Sequence, residues 1–250
     1  MLNVYWWTDP QNFGDVLTPF ILEHFNIPYK KTDTLEDAEA IMIGSTARLA
    51  LANQMVLGSG RIHDVEYANP NARWMWVRGP FTRKNCIKYG CNVPKVYGDA
   101  ALFLPEILPE SSKQYEYGFI PHYSDKKYVE TAEYDGKECC IIDPVNEDAL
   151  DTARRITACK KIISSSLHGL IVAHAYGIPA AWVQISALWG SGVKFADHYA
   201  SVKLKAPRIG RINMLNTNDY NAAHVKVEKA YFDAPDKIDM SDPREILLSL

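Results

Sequence analysis

Apolar and polar positions alternate in blocks along the chain, and each block predicts one strand or one helix. Residues 2–7, LNVYWW, are β-branched and aromatic, as in a strand, and the polar stretch TDPQNFGD follows them. Residues 15–25 then place five apolar side chains at close to helical spacing. Pro19 lies early in this stretch, where a helix tolerates proline. The chain therefore begins with a predicted strand, loop and helix.

Three further blocks complete the first half of the chain. Strands are predicted at 39–45 and 54–60, and each ends in a glycine turn. Residues 72–90 predict a strand, a turn and a helix that stops at Gly90. Residues 94–109 indicate a short strand and a loop, and a proline- and serine-containing stretch after them is typical of a linker.

The same alternation restarts after this linker. Predicted strands lie at 115–125 (together with a polar loop), 138–144, 160–166 and 178–185. Predicted helices lie at 146–159, at 167–177 and at 242–250. Asn146 is expected to cap the first of these helices, and Gly177 to close the second.

Strands that alternate with helices predict an α/β fold of parallel sheets wound on both faces. The restart predicts two Rossmann-like halves, residues 1–110 and 113–250, with a cleft between them. Ligands bind outside the carboxyl ends of the strands in such sheets, so six strand-end loops are expected to meet at one rim. These loops are NFGD (12–15), GSG (58–60), RGPFT (78–82), GDAA (98–101), PHYSD (121–125) and SSSLHG (164–169).

Composition and charge exclude several classes of protein. The chain has 250 residues, a net charge of -3 and 47% hydrophobic residues, which is typical of a globular protein without a polyanion-binding face. Nucleic acid is therefore not expected as a partner. The five cysteines have no metal-binding spacing, which favours reduced thiols in the cytoplasm. The N-terminus does not resemble a signal peptide, and no apolar run reaches the roughly 18–20 residues of a membrane span, so membrane contact is expected to be peripheral, at the inner face.

The stretch SSSLHG gathers polar residues where a buried strand passes into a buried helix. An anion site is predicted here, because the turn offers free N–H groups, the helix dipole and the hydroxyls of Ser164, Ser165 and Ser166. Gly169 permits close approach of the backbone, and His168 is expected at the rim, where an imidazole can transfer a proton. The alternative is structural: the serines cap the helix, and His168 is a satisfied histidine.

The stretch WVRGPFT places Arg78 at another strand end. Its rigid fork of donors suits phosphate or carboxylate, although a salt bridge explains an arginine equally well. Asp99 of GDAA is able to accept a hydrogen bond from Arg78 or to cap the next turn.

Two more rim loops carry candidate side chains. A predicted turn before a helix contains Asn12, Gly14 and Asp15. Asp15 either caps that helix or acts as a base or orienting group for a sugar hydroxyl. His122, followed by Tyr123 and Ser124, is expected to face the cleft. The GSG stretch lacks the further glycine of a dinucleotide site, so Ser59 is only a weak candidate.

These motifs, in the order NFGD, VLGSG, VRGPFT, GDAAL, IPHYSD and SSLHGLIVAHAYGIPAAWV, resemble the polysaccharide pyruvyl transferase family over about residues 9–185. The resemblance implies a compact relative of the two-domain GT-B glycosyltransferases. It also implies transfer of pyruvate from phosphoenolpyruvate to two sugar hydroxyls, giving a cyclic ketal and phosphate in exopolysaccharide or capsule biosynthesis. The acceptors are glycan units, often lipid-linked. The family commonly has arginine where this chain has Ser166, so that role passes to Arg78 or a lysine, or the donor differs.

The resemblance also assigns roles to the candidate residues. Phosphoenolpyruvate carries two anionic groups, and the 164–169 turn and Arg78 are the expected holders, with help from Tyr123 and Ser124. His168 is expected to transfer the proton nearest the donor, and His122 or Asp15 to handle the acceptor hydroxyl. The expected acceptor contacts are Asn12, Gly14 and Ser59. No metal and no cofactor beyond the co-substrate phosphoenolpyruvate are expected.

Two alternatives remain open from the residues alone. One is a nucleotide-sugar glycosyltransferase that places a diphosphate at the 164–169 turn. The other is a non-catalytic binder of sugars or anions, which needs aromatic side chains but not His168. Its candidate aromatics are Trp6, Trp7, Trp74, Trp76 and Trp189, all of which core packing also explains.

Overall fold

Two parallel sheets form the framework of the protein. The computed structural model describes residues 1–9, 11–128, 139–145, 148–187, 190–206, 210–211 and 232–250, except for the side chains of 126–128 and 210–211. Each sheet has five strands in the part of the chain that is described. The predicted α/β class with parallel sheets is confirmed.

The first sheet has the order β2-β1-β3-β4-β5, with every neighbouring pair parallel. Its strands are β1 (Leu2–Tyr5), β2 (Tyr29–Lys31), β3 (Ala40–Ile41), β4 (Met55–Leu57) and β5 (Arg73–Trp76). The accompanying helices are α1 (Thr18–His24), α2 (Pro80–Lys88) and α3 (Leu104–Ile107). Val4 pairs with Lys31 on one side and with Ala40 on the other, which places β1 inside the sheet.

The second sheet has the order β10-β9-β8-β6-β7 and is also parallel. Its strands are β6 (Tyr115–Ile120), β7 (Cys139–Ile141), β8 (Cys159–Ser164), β9 (Ala180–Gln184) and β10 (Gly210–Arg211). Its helices are α4 (Ala149–Thr157), α5 (Leu167–Ala175) and α6 (Val193–Ser201), and α7 (Ser241–Leu248) follows near the C-terminus.

Helix α5 is buried from Leu167 to His174, which explains its nearly continuous apolar sequence. Gly169 lets this helix lie close to the sheet, because a Cβ there would come within 2.4 Å of Ser164 Oγ and 3.0 Å of Ile120. The role expected for Gly169, close approach to an anion, therefore needs correction. Its missing side chain serves helix–sheet packing instead.

Some elements differ from the sequence prediction. A strand and a loop were expected over residues 94–109. Instead, Tyr97 forms a single bridge to Val77, and a 3₁₀ turn over Ala100–Phe103 and then α3 follow. Helix α4 begins after Asp148, whose carboxylate accepts from Asp151 N, and Asn146 lies outside the described residues. The division at 110–113 stays a prediction.

One apolar core runs through both halves of the molecule. It joins residues of the first half, such as Phe13, Leu17 and Phe103, with residues of α5 such as Leu170 and Ile171. Among the residues described, no helix is long and apolar enough to cross a membrane.

Candidate active site

A cavity of about 320 Å³ opens between the two halves, at the carboxyl ends of their strands. The polar side chains that line it from the first half are Asn12, Asp15, Ser45, Thr46 and Arg48. Those from the second half are His122, Tyr123, Ser166, His168 and Lys194. Six of the predicted site residues thus share one cavity: Asn12, Asp15, His122, Tyr123, Ser166 and His168.

His168 lies at the floor of this cavity and not at its rim, as the sequence had suggested. It is only 4% exposed, and its ring packs so closely on Gly14 that a Cβ at Gly14 would lie 2.0 Å from the imidazole. Burial, with the charges of Arg78 and Lys194, lowers the pKa of His168 to about 3. The imidazole is therefore neutral at physiological pH and still touches the cavity.

Two buried carboxyl groups accompany His168. Burial, with the nearby charge of Asp99, raises the pKa of Asp15 to about 8, so Asp15 keeps its proton at neutral pH. Burial also raises the pKa of Asp99, to about 6. Asp99 Oδ1 caps the 3₁₀ turn by accepting from Ala101 N at 3.0 Å, as the capping alternative predicted. Its Oδ2 lies 3.9 Å from His168 Nε2.

The serines of the 164–166 stretch divide into two structural residues and one cavity residue. Ser164 Oγ donates to the carbonyls of the turn and of Ile120, while Ser165 Oγ donates to Asp125 and accepts from His122 N. Neither side chain lines the cavity. The prediction that Ser164 and Ser165 contact a ligand directly is therefore corrected. Ser166 does line it and precedes α5 without a side-chain capping bond.

Arg78 does not line the cavity. Its fully buried guanidinium donates to Gly44 O, to Ser45 Oγ at 2.8 Å and to Arg61 O at 2.6 Å. The remaining Nε lies 3.5 Å from Asp197 Oδ2. With its donors engaged in this way, Arg78 is not placed to contact a donor molecule directly. It orients Ser45 and influences the cavity through its charge.

Asp197 of α6, which sequence reasoning missed, binds the start of α2 across the two halves. Its carboxylate accepts from Phe81 N at 2.8 Å, from Thr82 N at 2.9 Å and from Thr82 Oγ1 at 2.6 Å. The N-terminus of a helix in one half is therefore capped by a helix of the other.

The other predicted residues have supporting positions. Ser124 Oγ is hydrogen-bonded to His122 Nδ1 at 2.8 Å, which orients that ring. Burial, followed by the charge of Lys194, lowers the pKa of His122 to about 4. Ser59 is fully buried, and its Oγ donates to Gly44 O at 3.0 Å, so it supports the 44–46 loop and is not an acceptor contact. Gly14 contacts His168 and not the cavity itself.

Lys194 is a cavity residue that sequence reasoning missed, as are Ser45, Thr46 and Arg48. It is the second residue of α6, is 7% exposed and lines the cavity. Burial and the charge of Arg78 lower its pKa to about 8, while Asp15 and Asp125 act in the opposite direction. Within the described part of the chain, its ammonium has no carboxylate within 4.0 Å, and its Nζ lies 5.3 Å from the centroid of the Phe195 ring. The only sequence signal was a lysine between Val193 and Phe195, in an otherwise apolar stretch.

Metal ligation is not evident in the residues that the structure describes, because no group of three histidine, cysteine or acidic side chains is arranged around a common point. The expectation that no metal takes part stays a prediction. The five cysteines carry free thiols.

Two parallel sheets with a polar cavity between them place the protein in the broad class of two-lobed α/β proteins. Residues 41–186 match the polysaccharide pyruvyl transferase family, and the chain belongs to that family. Its members are transferases of polysaccharide biosynthesis.

Two relatives match over most of this chain. An uncharacterized protein, L143, of Acanthamoeba polyphaga mimivirus is 31% identical over 192 residues, which cover 71% of this chain and 67% of the relative. The succinoglycan biosynthesis protein ExoV of Rhizobium meliloti (strain 1021) is 29% identical over 202 residues, which cover 74% and 60% respectively. The matched residues thus span 67% of the length of the first relative and 60% of the second.

Two solved structures of the UDP-GlcNAc 2-epimerase from Methanocaldococcus jannaschii are distantly similar. One has a TM-score of 0.47 at 11% identity and covers 98% of both chains. The other, in complex with UDP-GlcNAc and UDP, has a TM-score of 0.45 at 10% identity and covers 94% of this chain and 80% of its own.

Proposed function

We propose that the protein transfers pyruvate from phosphoenolpyruvate to two hydroxyls of a saccharide, forming a cyclic ketal and releasing phosphate. The observation that carries this proposal is Lys194, whose side chain is largely buried, lines the cavity and has no carboxylate within 4.0 Å of its ammonium in the described chain. A buried charge of this kind is costly unless an anion compensates it.

The start of α5 supplies the second part of an anion site. Helix α5 has nine residues, and its first turn opens into the cavity at Ser166 and Leu167. Free N–H groups and the helix dipole favour an anion at this position. Lys194 and the start of α5 together suit a small molecule that carries a phosphate and a carboxylate, which is the chemistry of phosphoenolpyruvate. Lys194 then takes the place expected for Arg78.

The protonation states of the cavity suggest how its residues share the reaction. Asp15, still protonated at neutral pH, donates its proton to C3 of the enolpyruvate, and C2 becomes electrophilic. A sugar hydroxyl adds to C2, with neutral His168 accepting its proton. Phosphate leaves with the electrons of the C2–O bond and takes the proton held by His168. The second hydroxyl then adds to C2, gives its proton to the Asp15 carboxylate and closes the ketal. These roles are the reverse of those that the sequence suggested for Asp15 and His168.

Phosphate release in the presence of phosphoenolpyruvate and a saccharide tests this proposal. The purified protein should release phosphate only when both are present, whereas UDP-sugars should release no UDP. Acceptor-dependent release of UDP would instead favour the glycosyltransferase alternative. Cytoplasmic location and a lipid-linked acceptor remain predictions.

The Lys194→Met variant tests the donor site directly. Phosphoenolpyruvate should raise the melting temperature of the wild-type protein, and this shift should be lost in Lys194→Met because the compensating charge is gone. Lys88→Met, on the exposed end of α2, is the matched control and should keep the shift. An unchanged shift in Lys194→Met would contradict the donor site.

A further inference from the structure

Two exposed aromatic side chains stand at the mouth of the cavity, one from each half. Trp7 follows β1 and is 41% exposed, and Tyr123 follows β6 and is 42% exposed. Both line the cavity. Both rings thus follow the carboxyl end of an inner strand, one in each sheet.

Core packing does not explain Trp7. Its neighbour Trp6 is buried and packs edge-on against Tyr29, with ring centroids 6.2 Å apart. Trp7, in contrast, is 41% exposed and is not part of that core. Among the tryptophans that the structure describes, Trp7 is the exposed one, while Trp74 and Trp76 are buried like Trp6. Trp189 lies outside the described residues.

Tyr123 is held in place by its own neighbour. Its ring lies against the ring of His122, with centroids 4.2 Å apart and planes tilted by 36°. His122 is in turn hydrogen-bonded to Ser124. The phenol ring is therefore oriented before any ligand arrives, which lowers the entropy lost on binding.

The size of the cavity determines what these rings can contact. Its volume of about 320 Å³ is at the small end of the roughly 300–1,000 Å³ that is usual for ligand sites. It has room for a small donor and part of a sugar, but not for an oligosaccharide. An acceptor longer than one sugar must therefore cross the mouth, where Trp7 and Tyr123 stand.

We propose that Trp7 and Tyr123 form an acceptor subsite that stacks against the face of a hexopyranose ring. A pyranose presents several C–H bonds on one face, and these pack favourably on the negative face of an aromatic ring. The same two side chains then determine which sugar face, and so which hydroxyl pair, is presented to the donor. The assignment of this hexopyranose to the saccharide acceptor rests on the proposed function.

Saturation-transfer NMR with methyl glucopyranoside, methyl galactopyranoside and methyl mannopyranoside, each without phosphoenolpyruvate, tests the subsite. Wild-type protein should transfer saturation to the ring C–H protons of at least one glycoside. Trp7→Ala and Tyr123→Ala should each weaken that binding by about 3- to 10-fold, while Trp7→Phe should retain most of it. Tyr67→Ala removes an exposed aromatic ring outside the cavity and should leave binding unchanged.

The melting temperature without ligand controls for folding, because Trp7 and Tyr123 are well exposed and both alanine variants should melt close to the wild type. The subsite is wrong if the wild type binds none of the three glycosides, or if the alanine variants bind them as the wild type does. If the glycosides depend on Trp7 and Tyr123 but no pyruvyl transfer occurs, the subsite stands and the proposed function fails.

Discussion

At the scale of single residues, the cavity derives its chemistry from burial. Asp15 and His168 lie at its floor, and burial is the largest cause of both their pKa shifts. The sequence identifies both residues as candidates, because each lies in a polar turn at a strand end. It cannot assign their protonation states, since these depend on how far the surrounding chain excludes water.

The raised pKa of Asp15 predicts a specific dependence of stability on pH. The folded protein holds this proton up to about pH 8, whereas the unfolded chain releases it near the ordinary value of 3.8. The folded state thus binds more protons between these values, and stability falls as pH rises. Between pH 6.5 and 8 this one proton lowers the free energy of unfolding by about 2 kcal/mol.

Denaturant unfolding at several pH values measures this effect. His168, His122 and Lys194 act in the opposite direction in this window, because the unfolded chain binds more protons at these residues than the folded protein does. The contribution of Asp15 is therefore the difference between variants. Relative to the wild type, Asp15→Asn, which mimics the protonated acid, should gain about 2 kcal/mol between pH 6.5 and 8, while the exposed Asp242→Asn should behave as the wild type. Equal slopes for Asp15→Asn and the wild type would show that Asp15 is ionised in the folded protein.

At the scale of elements, α6 is the part of the site that the sequence did not predict. The strand-end turns could be predicted because glycine, proline and polar residues interrupt apolar runs. Helix α6 has no such clear signal, since its buried positions include Lys194, Asp197 and His198 besides apolar residues. Charged residues on a buried face obscure the periodicity on which helix prediction depends.

The cap that α6 provides for α2 should contribute measurably to stability. Asp197→Ala removes a buried carboxylate that accepts three hydrogen bonds and faces Arg78, and it leaves that guanidinium without its counter-charge. Loss of one partner of a buried pair costs about 3–5 kcal/mol. Urea unfolding should show a loss of this size.

Asp148→Ala is the matched control, because Asp148 caps α4 within its own half and is well exposed. Its loss should cost only about 1 kcal/mol. Similar losses for the two variants would mean that the contact between Asp197 and α2 adds no more than an ordinary cap.

At the scale of the whole molecule, the two halves are tied together at several points away from the cavity. Phe13 N donates to Pro144 O at 2.9 Å, and Tyr176 Oη donates to the carbonyl of Leu108 at 2.7 Å. Helix α7 returns to the first half, where Arg244 pairs with Glu106. The sequence predicts the two sheets but not these ties, because each joins residues far apart in the chain.

The shared core and these ties predict that the two halves unfold together. Circular dichroism and tryptophan fluorescence should follow one coincident thermal transition, as expected when a single cooperative unit unfolds. Because the donor site uses Lys194 and α5 on one side and Asp15 on the other, phosphoenolpyruvate should move the whole transition upward. At 100 times its dissociation constant, the added stability should be about 2.7 kcal/mol. Two separate transitions, with only the later one sensitive to phosphoenolpyruvate, would instead mean that the halves fold independently and that Asp15 takes no part in holding the donor.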